Sequence, residues 1–205
     1  MRIPIRVVKV GGSLFDLADL SDRLRRWLKQ QSPAHHVLVA GGGALVEKVR
    51  EWNKNEPIDD VAAHWMCIDL MTVTAHLLHA RLPEVALVED DLLLCQRVGF
   101  RDCTIFGPAA WMRHSESSLP GITLPANWEV SSDSIAARLA IVLHADEFVL
   151  LKSVLPADEI GNDMNALVGA GYVDPMMAQF AKELPPVRIV DFRLDQPAEL
   201  QLRSQ

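Results

Sequence analysis

The chain has 205 residues, 49% of them apolar and 23% charged, with a formal charge of −7 at pH 7. That is ordinary globular composition, enough for one sizeable core or two lobes sharing one sheet. The acidic balance, with no basic run to offset it, argues against a nucleic-acid partner.

Smaller features exclude more. The densest basic cluster, Arg23, Arg25, Arg26 and Lys29, falls at helical spacing and reads as a solvated face. Cys67, Cys95 and Cys103 are odd in number and form no CxxC pair. A disulfide framework is therefore not expected, and a reducing cytoplasm fits. MRIPIRVV at the N-terminus has no apolar leader, and no apolar run reaches the ~18 residues of a span, so no signal peptide and no membrane contact are expected. His76 and His79 share a helical face but complete no ligand set, so no metal site is expected.

Residues 5–10, IRVVKV, form a short Val-rich run, which predicts a strand buried on both faces. Leu17, Leu20, Leu24, Trp27 and Leu28 mark a helix over 16–31, stopped by Pro33. HVLVA at 36–40 is a second buried strand, and 44–53 is again helical. Strand–helix–strand–helix order points to parallel strands with crossover helices. Asp59 and Asp60 are placed to cap a long helix over 61–81, whose apolar residues suit a second copy of the chain as partner.

A short strand at 85–88, a helix at 90–98 and a strand at 103–106 follow. Residues 114–127, rich in Ser, Pro and Gly, read as a loop and the best lobe boundary. A helix at 132–145, a strand at 147–151, a polar turn at 156–165, a helix at 174–184 and a final strand at 187–192 complete the pattern. The tail after Asp195 reads as weakly helical.

Chemistry concentrates at the strand ends. Lys9 stands near the C-terminal end of the first strand, where ligands bind in open α/β sheets. Gly11 and Gly12 let backbone N–H groups approach an anion, Ser13 adds a hydroxyl, and a helix starting near Asp16 would add its positive end. The lysine precedes the glycines, so this is not a GxxxxGK[ST] loop, nor does it spell GxGxxG. Gly41, Gly42 and Gly43 repeat the device after the second strand. Two such turns on one sheet edge would make adjacent anion sites, as a phosphate donor and its acceptor require. Ser131-Ser132-Asp133-Ser134 opens a later helix. Asp133 is there either a plain cap, a carboxylate holding lysine ammoniums, or a neighbour of a metal-bound phosphate.

KVGGS, GGG after a strand, and SSDSIAARLA, in this order, resemble the amino acid kinase family, which includes acetylglutamate, glutamate, aspartate and uridylate kinases. The resemblance spans nearly the whole chain. It implies a three-layer α/β/α sandwich around a mainly parallel sheet, with ATP·Mg²⁺ and an acceptor bound over the strands' C-terminal ends. It also implies a single domain, with an acceptor-side lobe of about 1–127 and a nucleotide-side lobe of about 128–205. Ala63-His64-Trp65-Met66, Met71, LPANWEVSSDSIAARLA and Tyr172-Val173-Asp174 are similar to one small branch. That branch contains the aminomethylfuran phosphate kinase of methanofuran biosynthesis, which turns a phosphomonoester into a diphosphate.

By this resemblance, Lys9 stabilises the transferring phosphoryl group and Asp133 orients the lysines. Gly11, Gly12 and Ser13 cradle the donor's phosphates, Asp174 lies in the nucleotide region, and Gly41, Gly42, Gly43, Ser132 and His64 meet the acceptor. The chain departs from the family after strand 147–151. In place of a TDVDG-like turn and a later second lysine, it runs into Lys152-Ser153-Val154. Lys152 and Ser153 then either reach the donor phosphates from a different root or lie on the surface. The second case would leave a nucleotide or oxyanion binder without catalysis. A dinucleotide-binding fold would need an acidic residue after the second strand, where Ala40 and three glycines stand.

Overall fold

The computed structural model describes residues 2–202. It is a three-layer α/β/α sandwich around one seven-stranded sheet. The strands are β1 (Ile5–Val10), β2 (His35–Ala40), β3 (Ala86–Val88), β4 (Cys103–Phe106), β5 (Glu147–Lys152), β6 (Val187–Asp191) and β7 (Ala198–Gln201). Their order across the sheet is β3-β4-β2-β1-β5-β6-β7, and every pairing is parallel except β6 with β7. Every residue of β1 and β2 is buried, as Val-rich strands covered on both faces should be.

The period of two decides which side each residue serves. Ile5 and Val7 join one core, with Val37, Val39, Phe148 and Leu150. Val8 and Val10 join the other, with Leu38, Ala40, Val149 and Leu151. Lys9 shares the parity of Val7, so it points to the first core's side. That core is covered by α6 (Ser132–Val142), α7 (Met164–Gly169) and α8 (Met176–Phe180). The opposite core is covered by α1 (Leu20–Gln30), through Leu20, Leu24 and Trp27.

The remaining helices are α2 (Gly43–Asn55), α3 (Asp60–Arg81), α4 (Asp91–Arg97) and α5 (Ala109–His114). Asp59 caps α3 by accepting from the Ala62 N–H at 2.9 Å. By length and composition α3 would pass for a membrane span. In the fold it is a core helix with Ala63, Ile68, Met71, Ala75 and Leu78 buried, while Val61, Met66, Val73 and Leu77 stay exposed.

Four expectations are corrected. The first helix does not begin at Asp16. A 3-10 turn over Gly12–Asp16 comes first, extended Leu17 breaks it, and α1 starts at Leu20. The tail after Asp195 is not helical but forms β7, which closes the free edge of β6. The polar turn at 156–165 runs into α7, capped by Asp163 through the Asn165 and Ala166 N–H groups. The helix expected over 174–184 shortens to α8.

Buried charge also ties the loop at 115–127 to the core. Arg138 on α6 is fully buried and donates to Glu116 at 3.0 Å and to the Leu119 carbonyl at 3.1 Å. At the other end of the sheet His36 is buried beside Arg6 on the neighbouring strand. Burial first, then the charges of Arg6 and His35, push its pKa down to about 4, against a weaker pull up from Glu147.

The unfolded chain binds this proton near its ordinary pKa of about 6.5, and the folded one resists until about 4. Stability is therefore whole above the upper value and lost as pH falls between the two. We expect this group to cost about 2 kcal/mol between pH 7 and pH 5. Urea unfolding at both pH values, with His36→Phe as comparison, checks it. The variant should show a flatter pH dependence, and an unchanged slope would refute the assignment.

Candidate active site

The C-terminal ends of β1, β2 and β5 open into one cleft of 1060 Å³. Lys9, Gly11, Gly12, Ser13, Gly42, Gly43, His64, Ser132, Asp133, Lys152, Ser153 and Asp174 all line it. Of the candidate residues from the sequence, only Gly41 does not.

The glycine turns explain themselves by contact. A Cβ on Gly12 would lie 2.2 Å from the Gly43 nitrogen, and one on Gly43 would lie 2.5 Å from the Gly12 carbonyl oxygen. The turns after β1 and β2 therefore pack backbone to backbone. Gly43 also takes φ +55°, the left-handed region that glycine enters without penalty. Gly41 serves this packing, since its Cβ would meet the Gly12 nitrogen at 2.9 Å and Ser132 Oγ at 3.1 Å. Gly11 donates to the Leu151 carbonyl at 2.9 Å, which joins the first turn to β5.

At the cleft floor Asp133 holds two ammoniums. Its Oδ1 lies 2.9 Å from Lys9 Nζ, and its Oδ2 accepts from Lys152 Nζ at 2.6 Å. Lys152 is thus a partly buried member of an ion-paired trio, and the surface-lysine reading is excluded. Burial alone would push the Asp133 carboxyl up. The fields of Lys9 and Lys152 overcome it and hold the carboxyl at about 2. Burial lowers Lys152, Asp133 pulls it back up, and Lys9 lowers it again. Two cations and one anion give the trio itself a net positive charge.

α6 places Asp133 at this spot. Ser131 and Ser134 form a capping box at its start, and Asp174 adds a second lid. Asp174 Oδ2 accepts from Ser131 Oγ at 2.5 Å and from the Ser131 and Ser134 N–H groups at 3.2 Å each. Burial raises the Asp174 pKa, and the Ser131 hydroxyl draws it back. The cap and the lysine-holder therefore turn out to be neighbouring residues: Ser131 caps, and Asp133 holds.

His64, on α3, is buried and hydrogen-bonded through Nδ1 to the Asn127 carbonyl at 3.1 Å. A carbonyl only accepts, so Nδ1 carries the proton. Burial lowers the ring's pKa, which favours the neutral form.

Several residues in or beside the cleft were not among the candidate site residues. Arg50 on α2 lies with its guanidinium 5.9 Å from the Trp128 ring, and Trp128 Nε1 donates to Asp60 at 3.0 Å. Tyr172 sits with its ring 5.0 Å from Lys152 Nζ and its hydroxyl on the Val154 carbonyl. Arg193, after β6, donates to the Ser13 carbonyl and to Asp16 at 2.8 Å, pinning the first glycine turn. Trp128 and Tyr172 lie in segments quoted for the family branch, but neither carried a role there.

Residues 4–155 match the amino acid kinase family. The chain belongs to that family. No curated protein sequence matches this amino acid kinase. Its fold is similar to three solved structures. A UMP kinase from Ureaplasma parvum has 15% identity and a TM-score of 0.63, covering 92% of this chain and 89% of that one. A uridylate kinase from Archaeoglobus fulgidus has 18% identity and a TM-score of 0.61, covering 92% and 90%. A UMP kinase from Bacillus anthracis has 14% identity and a TM-score of 0.62, covering 99% and 100%. At these identities the likeness is one of fold.

Proposed function

We propose that this amino acid kinase transfers the γ-phosphoryl group of ATP to a small anionic acceptor. The observation that carries the proposal is the Lys9–Asp133–Lys152 trio beneath two back-to-back glycine turns. Phosphoryl transfer needs positioning and neutralisation of spread negative charge, and little else.

An ammonium has three N–H donors. Lys9 is ion-paired with Asp133, and Lys152 gives one donor to Asp133 and one to the Tyr172 carbonyl. Donors thus remain for phosphate oxygens. A carboxylate or phosphate acceptor is already an anion at neutral pH, so it needs no general base. Its oxygen forms the new P–O bond while the bond from the γ-phosphorus to the β–γ bridging oxygen breaks, and ADP leaves with that electron pair.

In this reading Lys9 and Lys152 meet the transferring group and Asp133 holds both. Gly11, Gly12, Ser13 and Ser153 face the donor phosphates, with Asp174 behind them. Gly42, Gly43, Ser132 and His64 face the acceptor. The lobe up to about residue 127 then makes most of the acceptor side and the lobe from about 128 most of the donor side, with Gly11, Gly12 and Ser13 crossing to the donor and Ser132 to the acceptor. Among the described residues no cluster of three or more His, Cys, Asp or Glu side chains could hold a metal. Both Asp133 oxygens already face lysines. The fit is to Mg²⁺ carried in on the nucleotide, where it would neutralise phosphate charge.

The acceptor we propose to test first is a furan-type phosphomonoester of a methanofuran-like one-carbon cofactor pathway, on the strength of Ala63–Met66 with Met71, Leu124–Ala140 and Tyr172–Asp174. A panel of phosphomonoesters incubated with MgATP, read by ³¹P NMR, tests both levels. Acceptor-dependent ADP and a new diphosphate are expected. Nucleotide binding with no acceptor consumed across the panel would instead establish a non-catalytic binder.

A further inference from the structure

The donor side of the cleft is walled by Val154, Gly171, Tyr172, Val173 and Pro175, together with Phe15 from the first turn. Several of its polar groups are engaged with one another, while Asp174 Oδ1 is buried without a partner. The Tyr172 hydroxyl donates to the Val154 carbonyl at 2.6 Å, and the Tyr172 carbonyl accepts from Lys152 at 3.2 Å. The Tyr172 N–H donates to the Leu167 carbonyl and the Gly171 N–H to the Val168 carbonyl, both at 2.9 Å. Asp174 caps α6, Asp16 accepts from Arg193, and Ser13 donates to Ser153 at 3.2 Å beside the glycine turn.

Nucleobases differ at their edges. Adenine and cytosine present an amino donor where guanine and uracil present a carbonyl acceptor. An enzyme tells them apart by aiming a fixed donor or acceptor at that edge, because the wrong base then leaves a buried group unpaired. Apolar and aromatic surface contacts every base alike, since all four have a π-face. The wall described here is of the second kind. Both wall carbonyls that a side chain reaches are engaged, that of Val154 by the hydroxyl of Tyr172 and that of Tyr172 by Lys152.

We infer that the donor is recognised through its triphosphate and not through its base, so that ATP, GTP, CTP and UTP all serve. The inference rests on the kinase reading above. Lys9, Lys152 and the glycine turns then supply the affinity, and the Tyr172–Val154 bond keeps the wall indifferent to the base.

Calorimetric titration of the chain with the Mg²⁺ complex of each of the four nucleotides tests this. Kd values within about tenfold of each other, or 1.4 kcal/mol, are expected. A wider preference for one base overturns the inference and leaves the kinase reading intact. Binding of none of the four overturns the kinase reading, and the inference falls with it. Tyr172→Phe uncovers the Val154 carbonyl and is expected to tilt the ratio at least threefold toward ATP and CTP, whose bases carry an amino donor at the edge position where guanine and uracil carry a carbonyl. A ratio that does not move would refute the part given to the Tyr172 hydroxyl.

Discussion

Lys9→Met should lower kcat by about a thousandfold, a loss of ~4 kcal/mol of transition-state stabilisation. Methionine keeps the length and volume of the buried stem and removes only the charge. Asp133 remains paired with Lys152 at 2.6 Å, so the fold keeps its buried carboxylate compensated. We therefore expect a melting temperature within a few degrees of the wild type. KM for ATP should change far less than kcat, because Lys152 and the glycine N–H groups still meet the phosphates. Steady-state kinetics with calorimetric melting checks this. Near-normal turnover in a folded Lys9→Met protein would refute the mechanism.

Asp133→Asn should do the opposite to the balance of effects and cost stability most. It leaves the Lys9 and Lys152 ammoniums next to each other with no anion between them. Breaking a buried ion pair by deleting one partner typically costs about 3–5 kcal/mol. The wild-type carboxyl sits at about 2, below its ordinary 3.8, so its stabilising charge is fully present above the higher value. That contribution is lost only as pH falls through the lower one. At neutral pH the variant should therefore show the full deficit. Phosphates can replace the missing anion, so MgATP should raise the variant's melting temperature by more than it raises the wild type's. An equal or smaller shift would mean that the trio does not face the nucleotide.

Much of this was legible in the chain because it rests on backbone rules. Val-rich runs such as residues 5–10 suit strands covered on both faces, and glycines after them suit tight turns. What was not legible depended on partners distant in sequence. Lys152 looks like any strand-end lysine until α6 brings Asp133 to it. Arg138 and Glu116 look like surface charges, yet they are buried against each other. AELQ at 198–201 has no buried stripe of its own and becomes a strand because β6 offers it an edge. The start of α1 differs from the expected one because Leu17 fits the spacing of Leu20 and Leu24, yet it is extended and ends the 3-10 turn.

The position of β1 has a mechanical outcome. It is bonded to β2 on one side and to β5 on the other, from Arg6–Glu147 through Val10–Leu151. The strands that root the two glycine turns and Lys152 are consecutive ribs of one plate. Swinging one half away from the other as a jaw would tear that ladder. Any motion that opens the cleft therefore falls to the segments above the plate, around Asn127–Ser131 and Ser153–Pro175, while the ladder holds the roots of Lys9 and Lys152 at a fixed spacing.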